Sequence, residues 1–135
     1  MMKRCLLGAL CLLFPLVALN AQDQEKKIDK KNLVVKEWNT DANGSHKVLD
    51  HMTTFNAEGK KVEEIEYNTD GQKWRKRFEY DASGKVSKEY VYDHRNKLQT
   101  HKTFEYNEFA KKKVQYTYNP KGKLIGIKQY EYIAK

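Results

Sequence analysis

With 135 residues the chain has room for a single domain. Its 26 basic and 18 acidic residues give a net charge of +8, a balance that favours acidic partners such as polyanionic glycans, nucleic acid or anionic lipid. The two cysteines, Cys5 and Cys11, both fall within the first 21 residues, so a chain cleaved behind them has no disulfide, no cysteine nucleophile and no cysteine-ligated zinc.

Met1 to Arg4 form a short basic start, and Cys5 to Leu19 an apolar run with Pro15 inside it. Spanning a bilayer takes about 20 apolar residues, more than this run supplies. The pattern predicts a signal-peptide helix over residues 1–21, cleaved after Ala21, and hence a secreted or periplasmic protein of the cell envelope. Loss of Lys3 and Arg4 with that leader lowers the net charge by two, to +6. Residues 22–32, QDQEKKIDKKN, are charged and nearly devoid of apolar side chains, which predicts a disordered spacer. Residues 33–135 form the folded part.

Leu33–Trp38 is the predicted first strand, followed by the turn cluster Asp41-Ala42-Asn43-Gly44. A regular phrase then repeats. Predicted strands are Lys47–Phe55, Lys60–Tyr67, Gln72–Tyr80, Lys85–Tyr92, Lys97–Tyr106, Lys111–Tyr118 and Lys123–Tyr132. The links between them are NAEG, NTDG, DASG, DHRN, NEFA and NPKG. Most begin with Asn or Asp and end with Gly, the composition of a type I turn closed by a left-handed residue. Asn96 tolerates that last position; Ala110 does not, so the Asn107–Ala110 turn is expected to differ from the rest. Short turns imply antiparallel neighbours, and no stretch of the folded part has a helical apolar period. The fold class is all-β: an antiparallel up-and-down meander of seven to eight short strands, an open or curled single sheet.

Turn geometry pairs Tyr80 with Val86, Tyr92 with Leu98, Tyr106 with Lys112 and Tyr118 with Leu124. Unbroken alternation from these anchors puts all nine tyrosines on one face: Tyr67, Tyr80, Tyr90, Tyr92, Tyr106, Tyr116, Tyr118, Tyr130 and Tyr132. Trp74 joins them, as do Lys76, Lys88, Lys102 and Lys128. In that register Lys88 opposes Lys102, Glu89 opposes His101, and Glu105 opposes Lys85 and Lys113. Tyr67 to Tyr80 is an odd interval, which predicts a bulge or longer loop between Asn68 and Arg75.

The binding residues expected on this basis are Trp74, Lys76, Tyr80, Lys88, Tyr90, Tyr92, Lys102, Tyr106, Tyr116, Tyr118, Lys128 and Tyr130. Aromatic rings among lysines suit a secreted non-enzymatic binding module for an acidic glycan or a protein partner; the alternative is a structural or self-associating cell-envelope protein that buries the face in a homo-oligomer. Rows of Tyr and Lys also grip nucleic acid, but export argues against it as the natural partner. His46, His51, His94 and His101 form no HxH or HxxxH pair, so no metal is expected, nor any cofactor. No GxSxG, P-loop or GxGxxG is present, and the strand carboxylates suggest no buried pair, so the chain is not expected to be an enzyme.

The phrases YVYDHRNKL, FEYDASGKV and YTYNPKGKL resemble the YD repeats of the Rhs family. More closely, the chain resembles small secreted Bacteroidales proteins of a domain-of-unknown-function group, with an NAQ-type signal exit and similar YD-x-x-G-[KR] strands. That resemblance implies export and a β-repeat fold, and carries over no catalytic residue.

Overall fold

The computed structural model describes residues 26–135; the expected signal peptide, its cleavage after Ala21 and the start of the spacer lie outside the described residues. Eight strands follow one another: β1 (Val34–Asn39), β2 (Val48–Phe55), β3 (Lys61–Asn68), β4 (Gly71–Tyr80), β5 (Val86–Tyr92), β6 (Leu98–Tyr106), β7 (Lys112–Tyr118) and β8 (Leu124–Gln129). They form one antiparallel sheet in sequence order, β1 to β8, an up-and-down meander that does not close into a barrel. No helix occurs among the described residues. Before β1 the chain is already tied in: Asn32 N–H donates to Asn56 O and Lys30 holds its ammonium 5.5 Å from the Phe55 ring centre.

The turns explain the recurring Asn and Asp. In the Asp81 turn, Gly84 N–H donates to Asp81 O and Asp81 N–H to Lys85 O, while the Asp81 carboxylate accepts from the Ser83 and Lys85 amides at 2.9 and 3.0 Å. Asn56, Asp93, Asn107 and Asn119 repeat this arrangement with their own side-chain oxygens. One short acceptor thus satisfies two amides that would otherwise point into the bend. The fourth residue takes a left-handed conformation, with φ of 83° at Gly84 and 61° at Asn96. Contrary to expectation the Asn107–Ala110 turn conforms too: Ala110 sits at φ 62° and keeps both hydrogen bonds. Two amides held by Asn107 and two strand ladders outweigh the strain of one methyl group. Among the links from Asn56 onward the Asn68 link is the one that differs, because Asn68 pairs with Gly71 across only Thr69 and Asp70. The odd tyrosine interval is absorbed there by a tighter turn, with a register shift just beyond it.

That shift turns out to be general. Each hairpin begins as expected, with Tyr80↔Val86, Tyr92↔Leu98, Tyr106↔Lys112 and Tyr118↔Leu124. Immediately after, every returning strand carries one residue too many: Glu79 pairs with Lys88, Val91 with Thr100, Glu105 with Val114 and Thr117 with Gly126. Ser87, Gln99, Lys113 and Ile125 are the unmatched residues. A one-residue bulge reverses the side of everything that follows. The tyrosines therefore do not gather on one face; successive hairpins send them to opposite faces.

The sheet is a single layer with almost no interior. Ile65 is the one buried side chain among the described residues, at 7% exposure. Most of the others on the central strands are half-buried beneath neighbouring side chains of the same face.

Candidate functional site

Cross-strand partners share a face, so the register assigns every strand residue. One face carries Phe55, Trp74, Phe78, Tyr80, Phe104, Tyr106 and, beyond β8, Tyr130 and Tyr132; it is called the Tyr80 face. The other carries Trp38, Ile65, Arg75, Arg77, Tyr90, Tyr92, His101, Tyr116 and Tyr118, and is called the Tyr92 face. Of the expected binding residues, Trp74, Lys76, Tyr80, Lys102, Tyr106, Lys128 and Tyr130 lie on the first, and Lys88, Tyr90, Tyr92, Tyr116 and Tyr118 on the second. The structure does not bring them together as one set.

The expected charge pairs change accordingly. Lys88 faces Thr103, not Lys102; Glu89 faces Lys102, not His101; Glu105 faces Val114, and neither Lys85 nor Lys113. In each case the bulge moved the partner by one residue. No pair of lysines is forced together, and Glu89 lies 3.9 Å from both Lys76 and Lys102.

On the Tyr80 face the aromatic residues are committed to holding the sheet. The hydroxyl of Tyr80 donates to Lys61 O at 2.6 Å, that of Tyr106 to Val86 O at 2.6 Å, and that of Tyr132 to Lys112 O at 2.7 Å. Each ring folds back over the start of the preceding strand and satisfies a carbonyl there. Lysines cover the rings: Lys60 over Tyr80 at 5.1 Å, Lys85 over Tyr106 at 5.2 Å, Lys61 over Phe78 at 4.9 Å and Lys112 over Phe104 at 4.5 Å. Burial pushes the Tyr80 and Tyr106 hydroxyls up from the ordinary tyrosine value. Glu64 accepts from Lys61 at 3.0 Å and meets His51 at 3.0 Å. Burial works to raise its carboxyl, but these two partners outweigh burial and hold it below the usual glutamate value.

The Tyr92 face is differently organised. One row of direct partners runs Glu63, Arg77, Tyr90, His101, Tyr118, Leu124 across six strands. The His101 and Tyr118 rings stack at 4.8 Å with 12° between their planes, and Tyr90 follows at 6.0 Å. In the next row the Arg75 guanidinium lies 4.3 Å from the Tyr92 ring centre and donates to Glu63 at 3.3 Å. Its Nε is buried without a partner among the described residues. The hydroxyls of Tyr90, Tyr92 and Tyr118 make no hydrogen bond to any described residue, unlike those of the opposite face. Tyr116 donates to Glu105 at 3.2 Å; desolvation, followed by that carboxylate, raises its hydroxyl. Trp38, Leu124 and Ile127 stay 42%, 42% and 57% exposed on this side.

No protein-family model, curated protein or solved structure matches the chain. Among the described residues no cluster of three or more His, Cys, Asp or Glu side chains has metal-site geometry. Two surface depressions formed by the described residues, of about 700 and 500 Å³, are open and lie beside turns, away from the aromatic row.

Arg75, Arg77 and His101 belong to the candidate site and do not follow from an unbroken alternation. A signal for them exists in the order of the rings. Phe-Glu-Tyr stands at 78–80 and again at 104–106, while Tyr-x-Tyr stands at 90–92 and 116–118. The true repeat is therefore two hairpins and 26 residues long, which is what a sheet with faces exchanged at each hairpin requires.

Proposed function

We propose that this is an exported, non-enzymatic binding module that takes an acidic glycan on its Tyr92 face. The observation that carries the proposal is the half-buried ring row Tyr90–His101–Tyr118, whose two tyrosine hydroxyls bond to no described residue, bordered by the exposed Arg77 and by the Arg75–Tyr92 pair. Flat rings offer stacking surface to sugar rings, and guanidinium groups match carboxylate or sulfate with paired donors. Lys88, exposed on the same face, adds positive charge. The Tyr80 face is the weaker candidate because its rings and lysines already occupy one another. Export from the cell and kinship with the Bacteroidales β-repeat proteins belong to the same proposal, and are supported by the leader and by the turn phrases.

The exposure of Trp38, Leu124 and Ile127 favours a second reading, in which a cell-envelope protein buries the same face between two copies. A panel of immobilised sulfated and carboxylated glycans separates the two. Binding weakened about tenfold or more by Arg77→Glu or Tyr118→Ala, and unaffected by Lys102→Glu on the other face, is the expected result. Equal retention of all three variants, or sensitivity to Lys102→Glu alone, would refute it. A compact dimer indifferent to every glycan would establish the second reading instead.

A further inference from the structure

Strands β1 and β8 form the margins of the sheet, and among the described residues neither has a neighbour on its outer side. A bare margin presents unpaired N–H and C=O groups and is a template for another strand. Two hydrogen bonds show which residues present them. Phe55 N–H donates to Leu33 O, so Leu33, Val35 and Glu37 turn their backbone groups inward and Val34, Lys36 and Trp38 turn theirs outward. Tyr130 N–H donates to Lys113 O, so Gly126, Lys128 and Tyr130 face inward and Ile127 and Gln129 face outward. Because eight strands alternate in direction, β1 and β8 run opposite ways. A second copy's β1 laid against β8 thus continues the meander without a change of sense.

Matching outward groups to outward groups, with the Tyr80 faces on one side, allows only registers two residues apart. One of these sets Glu37 opposite Lys128, Val35 opposite Tyr130 and Trp38 opposite Ile127. A step in either direction places Val35 against Lys128 or Glu37 against Tyr130 and loses the charge pair. Glu37 and Lys128 are both exposed and neither is in a salt bridge with a described residue; Lys128 rests its ammonium 5.6 Å from the Tyr130 ring centre and has no carboxylate partner there, so the pair remains to be made. Trp38 and Ile127 would cover each other's exposed apolar surface. The two margins are complementary to each other in hydrogen bonding, charge and apolar contact.

We infer that the chain assembles head to tail, β1 of one copy adding to β8 of the next, into a continuous single-layer ribbon. The contact is heterologous, so it propagates rather than stopping at a dimer. It leaves both faces uncovered and does not depend on the glycan proposal.

Sedimentation velocity on the full chain tests this. Mean mass should climb past that of a dimer as concentration rises. Glu37→Lys or Lys128→Glu alone should weaken assembly about tenfold, since each turns an attractive cross-strand pair into a repulsive one. Mixing the two single variants should restore it, because each then meets an opposite charge at both margins. The rescue also shows that both variants are folded. A monomer at every concentration, growth that stops at a dimer, indifference to Glu37→Lys, or no recovery on mixing would each overturn the inference.

Discussion

Replacing Ala110 with glycine should stabilise the protein, although the substitution removes a methyl group and loosens the unfolded chain. Ala110 is held at φ 62° by Asn107 and by the strands on either side. An L-residue in that region costs roughly 1–2 kcal/mol. Glycine's extra freedom in the unfolded state takes back about 0.4–1 kcal/mol. The net gain is about 0.5–1 kcal/mol, or roughly 3–6 °C in melting temperature for a domain of this size. Thermal melts followed by circular dichroism, together with urea titrations, give both quantities. Gly84→Ala is the mirror experiment: φ 83° makes it lose what Ala110→Gly gains, and the new Cβ must also displace the flexible Lys60 ammonium. An unchanged or lowered midpoint for Ala110→Gly would show that this turn is not left-handed and that Asn107 does not impose the common geometry.

Ile65→Ala should cost about 2–3 kcal/mol, the low end of the range for a buried aliphatic side chain, because the site lies on an open face where neighbours can settle into the gap. Ile125→Ala, at 57% exposure, should change the unfolding free energy from urea titration by less than about 0.5 kcal/mol. Equal effects would mean that Ile65 is not the centre of the packing. The Glu64 carboxyl is held below its usual value in the folded sheet, so it contributes stability above the unfolded glutamate value, and that contribution is lost as pH falls through the folded one. Stability measured against pH should therefore fall less steeply on the acid side for Glu64→Gln than for the native protein; identical slopes would remove Lys61 and His51 as its partners.

Much of the fold is legible in the residues themselves. Asn or Asp at the first turn position and Gly at the fourth have local causes, two capped amides and one left-handed backbone, and both leave a mark in the sequence. The anchors Tyr80↔Val86 and Tyr118↔Leu124 follow from them. The bulge leaves no comparable mark at its own position; only the 26-residue order of the rings records the exchange of faces. Its extra residue is Ser87 in one hairpin, Gln99, Lys113 and Ile125 in others, which share no chemistry, because the backbone of the returning strand makes the bulge and not a side chain. Missing it costs nothing in strand count and everything in facing. This is why Lys88 and Lys102 read as neighbours and lie on opposite sides. The candidate site was correspondingly half legible: Tyr90 and Tyr118 stand out as aromatic residues, whereas His101, Arg75 and Arg77 acquire meaning only once the faces are known.

Among the described residues every strand touches only the strands next to it in sequence, and one side chain alone is hidden from water. Such an architecture has no centre whose loss brings down the whole. Opening costs one ladder at a time, so fraying proceeds inward from the two ends like a row of stitches, and the stretch around β3 and β4 outlasts the rest. Adding or deleting a pair of hairpins changes the length of the object without changing its cross-section, which gives evolution a cheap way to adjust reach.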